Sequence, residues 1–146
     1  MRLWHYKLIP YLPDSQLLAQ WRELNSIFKN QPKHILINYV YEYPKDDLYW
    51  YTNEILNEMR DRGFKYNLRA SFDDYFKGFK VFFDENGKSI SIENPFPDHH
   101  NDRYLMQCFH NLQEKFDRGQ KDFTDETYLD LANFIISYFN EAGELI

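Results

Sequence analysis

A chain of 146 residues with one cysteine has the length of a single domain and can enclose a core without staples. It can form neither an intramolecular disulfide framework nor a Cys-rich zinc site. The net charge of −6 and pI near 5.3 disfavour generic phosphate binding, and no apolar run approaches the roughly 18 residues of a membrane span. Nothing resembles a signal peptide, so the expected compartment is the cytoplasm and no membrane partner is expected.

Aromatic residues make up 19% of the chain, enough to build a core rich in rings. Charge is unevenly spread. Residues 1–69 carry 10 Lys and Arg against 8 Asp and Glu, whereas residues 70–146 carry 7 against 15. A polyanion would meet the first half more readily.

In chain order, Pro13-Asp14 opens the first helix, with Asp14 or Ser15 as its cap. Leu17, Trp21, Leu24 and Phe28 follow at helical spacing. The stretch His34–Tyr43 (HILINYVYEY) is apolar without a clear period: a buried strand, a short helix or irregular packed chain. After Pro44, Asp46 or Asp47 caps a second helix with Leu48, Thr52, Ile55 and Met59 on one face. Arg60 and Arg62 in its last turn suit the negative helix end, and Gly63 suits the position just beyond.

The period then changes. GFKVFFD, Glu85-Asn86-Gly87 and KSISIE predict a β-hairpin over about 79–92. A third helix runs from about Asp102 to Arg118, with Leu105, Cys108, Phe109, Leu112 and Phe116 as its stripe. A fourth starts near Thr124 and ends at Gly143, turning Tyr128, Leu131, Ala132, Ile135 and Phe139 inward. The prolines all fall where helical patterns are absent. Gly63, Gly119 and Gly143 end helices and Gly87 makes a turn, which leaves no glycine-rich phosphate loop. The expected fold is one mainly α domain spanning 1–146: three to four helices around an aromatic-rich core, with one small hairpin.

On the first helix, at about 100° per residue, Ser15, Ala19, Arg22, Glu23 and Ser26 lie opposite the apolar side. Arg22 and Glu23 flank a floor of small residues. This is a solvated face or a shallow site where a ligand can come close.

The opening MRLWHYKLIPYLPDSQLLAQWRELNSIFK resembles the start of the pyrimidine-dimer DNA glycosylase family, the phage endonuclease V type, and more closely its small bacterial relatives. The similar pieces are a short strand-like N-terminal segment, an L-P-x-x-x-L-L-x-x-x-R-E pattern ending in Arg22-Glu23, and the helix end Glu58-Met59-Arg60-Asp61-Arg62-Gly63-Phe64. PFPDHHNDRYLMQCFHNL (95–112) is similar to a stretch of the bacterial relatives. The resemblance covers about 1–64 and 95–112, and leaves out the hairpin at 79–92 and the helix at 123–143.

The resemblance implies double-stranded DNA as partner and no cofactor. It implies attack on a sugar C1′ by the N-terminal α-amine, imine formation, and strand cleavage by β-elimination. An α-amine titrates near pH 8 and a lysine near about 10.4, so the α-amine is the better nucleophile at neutral pH. By the same resemblance Met1 supplies the amine, Glu23 the proton transfers, Arg22 the grip on the DNA backbone, and Arg2 a substrate contact. Arg2 stands where the family exposes a small residue, and Gln16 stands at the position of a DNA-contacting histidine. His5 and His99 are further acid–base candidates beside Glu23.

Other features have competing readings. His99-His100 with Asp102, and His5 if the chain folds back, could ligate a metal, but no HxxxH or HExxH spacing exists, and no metal is assigned. Tyr39, Tyr41, Tyr43, Tyr49, Trp50 and Tyr51 form either a base-stacking platform or dense core; with Lys45 the only basic residue among them, core is the better reading. Cys108 falls on a buried face. The acidic C-terminal half is a solvated surface or a binding face for a protein partner. The competing function is therefore a non-catalytic helical interaction module that keeps the fold.

Overall fold

The computed structural model describes residues 1–79 and 94–141. Five α-helices lie within them: α1 (Asp14–Asn30), α2 (Lys45–Asp61), α3 (Ala70–Tyr75), α4 (Asp102–Asp117) and α5 (Asp125–Glu141). Two 3-10 segments, Tyr6–Tyr11 and Asn38–Glu42, join them. The mainly α expectation holds. The expected hairpin at 79–92 falls, apart from Phe79, outside the described residues, as does Gly143; no strand occurs among the described residues.

The N-terminal chain is the hub of the packing. Its 3-10 turn contacts α2, α4 and α5, while α1 packs against α2 and α3. Leu3, Leu8, Ile9 and Leu12 are almost wholly buried and join Leu17, Leu24 and Ile27 of α1 with Leu48, Tyr51 and Ile55 of α2 in one cluster. Each such aliphatic side chain contributes about 1.5–3 kcal/mol by leaving water. Met1–His5 form no strand: they have no ladder partner, and side chains take over the pairing of their backbone.

Helix starts depart from expectation in an instructive way. α1 begins at Asp14 after Pro13, with no local side-chain cap. The cap is remote: Asp122 accepts the N–H of Ser15 at 2.6 Å and its hydroxyl at 2.9 Å. Burial opposes the charge on Asp122, but these bonds and that from Gln120 outweigh it and hold the carboxyl below its usual value. α2 likewise starts at Lys45 after Pro44, uncapped by its own side chains. Asp47 is buried and accepts the N–H of Phe96 at 2.7 Å, which anchors a residue at φ +54°. Pro10 lies inside the first 3-10 turn, where its fixed φ is tolerated, so not every proline is outside a helical segment.

α3 has no counterpart among the expected helices. It is six residues long and is held by rings: Phe28 of α1 meets Phe72 and Tyr75, each with centroids 5.5 Å apart, and Phe76 just beyond at 5.4 Å. Arg62, expected to sit at the α2 C-terminus for its charge alone, spans to the first 3-10 turn. Its guanidinium donates to the carbonyls of Leu12 (2.7 Å) and Pro10 (3.2 Å) and pairs with Asp14 and Glu58, both at 3.0 Å.

Candidate active site at the N-terminus

The first residues are gripped from three helices. Gln20 of α1 is buried, and its Oε1 accepts the N–H of Trp4 at 2.8 Å and the hydroxyl of Tyr51 at 2.9 Å. Its Nε2 donates to the carbonyl of Arg2 at 3.1 Å and to Glu23 Oε2 at 3.0 Å. Tyr51 of α2 donates to the carbonyl of Trp4 (2.7 Å), and Tyr104 of α4 donates to that of Leu3 (2.6 Å). Tyrosines suit this task because the ring packs in the core while the hydroxyl reaches a backbone group.

Threaded this way, the chain brings Met1, Arg2 and Glu23 to one pocket of about 200 Å³. Gln16 and Ala19 of α1, Asn111 and Lys115 of α4, and Leu36 also line it. Glu23 is half-buried and accepts from Gln20 Nε2. Burial raises its pKa above the ordinary 4.5; the Met1 ammonium, the Arg2 N–H, Arg22 and Gln20 offset part of that rise. A carboxyl held in this way can both release and take up a proton near an amine. The Arg2 guanidinium turns toward the Tyr104 ring, 5.9 Å from its centroid.

Arg22 is exposed and lines a separate groove with Lys29, Arg69 and Asp74. The small-residue floor expected along α1 is divided: Ala19 lines the pocket, Ser26 the groove, and Ser15 is engaged by Asp122.

The two histidines expected beside Glu23 line neither. His5 is buried; its Nδ1 accepts the N–H of Lys7 at 3.1 Å, capping the 3-10 turn, so Nε2 donates to the carbonyl of His100 at 3.0 Å. Burial lowers its pKa to about 4, with Lys7 adding to that effect and the His100 carbonyl and Asp102 opposing it. His99 is exposed, stacks on Tyr39 with centroids 4.5 Å apart, and meets the Tyr43 hydroxyl at 2.7 Å. His100 is buried and meets Tyr39 OH at 2.7 Å through Nε2. Among the described residues, no three His, Cys, Asp or Glu side chains gather as metal ligands. Tyr39 and Tyr51 are buried, as a core reading requires, while Tyr41, Tyr43, Tyr49 and Trp50 are partly exposed. Cys108 is buried, and burial raises its pKa.

Gln20, Asn111 and Lys115 were not singled out in the sequence. A glutamine three residues before a glutamate on a helix faces the same side, which was the available signal for Gln20. Nothing local could have linked α4 to this pocket.

The comparisons give the class of molecule. The family model for pyrimidine dimer DNA glycosylase matches residues 1–73, from the N-terminal chain through α1 and α2 into α3. The chain belongs to that family. The match includes Met1, Arg2, Arg22 and Glu23 and excludes the stretch 95–112. No curated protein and no solved structure gives a significant match. No helix among the described residues is long and apolar enough to cross a membrane.

Proposed function

We propose that this protein is a DNA glycosylase and abasic-site lyase that works through its N-terminal amine. The family is one of DNA-repair glycosylases. The observation that carries the finer reading is the one pocket lined by Met1, Arg2 and Glu23, in which Gln20 Nε2 bonds both Glu23 and the Arg2 carbonyl.

In the proposed reaction the neutral Met1 amine attacks C1′ of the target nucleotide. The N–C1′ bond forms as the glycosidic bond breaks, and the base departs with its electron pair and takes up a proton. The sugar ring then opens to an imine, with O4′ taking a proton. Loss of a proton from C2′ expels the 3′ phosphate by β-elimination. Glu23 moves protons in these steps and stabilises the cationic sugar. Arg22, Lys29 and Arg69, grouped on one groove, supply phosphate contacts despite the net charge of −6. Arg2 and Lys115 contribute positive charge to the pocket wall.

Borohydride trapping tests the reading. Duplexes carrying an abasic site or a pyrimidine dimer are incubated with protein and reductant, and adducts are mapped by mass. The expected result is a covalent adduct at the Met1 nitrogen, with Glu23→Gln losing the adduct on the dimer duplex. Absence of any adduct, together with absence of salt-sensitive DNA binding, would overturn the proposal in favour of a non-catalytic module.

A further inference from the structure

α5 turns Leu131, Ile135 and Phe139 into the core. Its outer side is not uniformly polar: Leu129 is 57% exposed and Ile136 48% exposed. Seven residues separate them, so they share one stripe, about 10 Å apart along the axis. Asn133 stands between them, four residues after Leu129 and three before Ile136, and it also lines a groove of about 630 Å³. Stripe and groove are therefore one continuous surface.

The groove lies between α5 and the segment from Pro10 to Asp14. Tyr11 and Phe134 stack there with centroids 4.7 Å apart. Asp14, Asp122 and Asp130 line it against the single guanidinium of Arg62, which is already bonded to Asp14, Glu58 and the Leu12 carbonyl. Bonds from Ser15 and Gln120 favour the charged form of Asp122. Asp130 is exposed and makes no ion pair among the described residues. α5 itself carries Asp125, Glu126, Asp130 and Glu141 and no Lys or Arg.

The charge selects the occupant. A polyanion would be repelled from this surface. A second copy docked about a two-fold axis would set the same acidic helix against itself. Apolar anchors seven residues apart, flanked by carboxylates, are complementary to a cationic helix. An arginine suits the groove because its planar cation pairs with a carboxylate and stacks on a ring. α5 already holds a cation of its own chain against a ring: Lys7 Nζ lies 4.0 Å from the Tyr138 centroid.

We propose that the Leu129–Ile136 stripe and the groove beside it dock a basic amphipathic helix of another protein. Apolar residues of that helix cover Leu129 and Ile136, and an arginine enters the groove to meet Asp130 and Phe134. The surface uses neither Met1 nor Glu23, so it stands or falls apart from the proposed function.

The probe is a synthetic helical peptide with leucines at seven-residue spacing and arginines flanking them. Its counterpart has glutamate at every arginine position. Titration calorimetry on the full chain is expected to show the arginine peptide binding at least about ten-fold tighter, and more weakly as salt rises. Leu129→Ser, Ile136→Ser and Asp130→Lys should each weaken it about ten-fold. Asp73→Lys makes an equal charge change at an exposed site on α3 and should alter it by less than about two-fold. Circular dichroism and a thermal melt establish that the variants fold. Equal binding of the two peptides would overturn the proposal. So would equal weakening by Asp73→Lys and Asp130→Lys, which marks general attraction to an acidic protein. A concentration-dependent dimer in sedimentation that Ile136→Ser abolishes would overturn it in favour of a second copy.

Discussion

Gln20 Nε2 lies 3.0 Å from Glu23 Oε2, one helical turn away on α1, and the same amide holds the backbone of Arg2 and Trp4. One uncharged side chain thus ties the carboxylate to the chain that carries the amine. Gln20→Leu keeps the volume and leaves buried groups unpaired at about 1–3 kcal/mol each. We expect a loss of about 3 kcal/mol in urea unfolding. Under conditions where the variant remains folded, trapping on an abasic duplex should still fall, because the N-terminal chain is no longer registered against Glu23. Full trapping by folded Gln20→Leu would contradict this role.

Arg62 is the fastener between α2 and the first 3-10 turn. A lysine cannot reproduce its planar fork. Arg62→Lys should cost about 1–2 kcal/mol and Arg62→Met about 2–4 kcal/mol, since the carbonyls and two carboxylates lose their donor. Denaturant midpoints at constant m-value measure the difference.

Acid should weaken the fold through His5. Its pKa falls from 6.5 to about 4 on folding, chiefly by burial. Between those values the unfolded chain binds a proton that the folded chain does not. The stability His5 contributes is therefore complete above pH 6.5 and is lost as pH falls toward 4. The loss from this residue is about 3 kcal/mol by linkage. His100, lowered first by burial and then by His5 and His99, acts in the same direction. Asparagine caps the 3-10 turn without titrating. Unfolding free energies measured from pH 7 to 4.5 should fall less steeply in His5→Asn than in the wild type.

The pH dependence of single-turnover cleavage should carry the mark of Glu23. Burial raises its pKa above 4.5. Its carboxylate form, needed to accept a proton, is therefore lost at a higher pH than for an ordinary glutamate as solution is acidified. Because the neutral Met1 amine is needed as well, the wild type should show a second proton-linked fall with its midpoint above 4.5, and residual cleavage by Glu23→Gln should keep only the single fall that belongs to the amine. Persistence of the lower fall in that variant would assign it to another group.

Phe96 sits at φ +54° with its ring fully buried, and Asp47 accepts its N–H at 2.7 Å. Asp47→Ala should cost about 2 kcal/mol, by orphaning that N–H at a strained residue. Asp47→Asn should cost less, because its amide oxygen can still accept. Thermal melts of both variants check the order.

What could be read from sequence follows from the range of the interactions. α1 and α2 were legible because Leu17, Leu24 and Phe28, and Leu48, Ile55 and Met59, recur at the helical period and are all buried. α3 was not, since a six-residue helix shows little period and depends on Phe28 for its packing. Helix caps were misassigned because Asp47 and Asp122 serve partners 49 and 107 residues away. Met1, Arg2 and Glu23 were candidates by resemblance to a family. Their meeting depends on Gln20, a residue that reads as solvent-facing on any helix. His5 and His99 looked alike as candidates. Their separate roles came from burial, which a sequence does not record for an isolated histidine.

The threading of the N-terminal chain has an optical consequence. Trp4 lines the pocket beside Met1 and Glu23 yet is only 6% exposed, while Trp21 and Trp50 are partly exposed elsewhere. Its indole is a built-in chromophore in the wall where the sugar would sit. In a Trp21→Phe, Trp50→Phe background, emission would come from that wall alone. Occupancy of the pocket could then be followed in real time without attaching a label to either molecule.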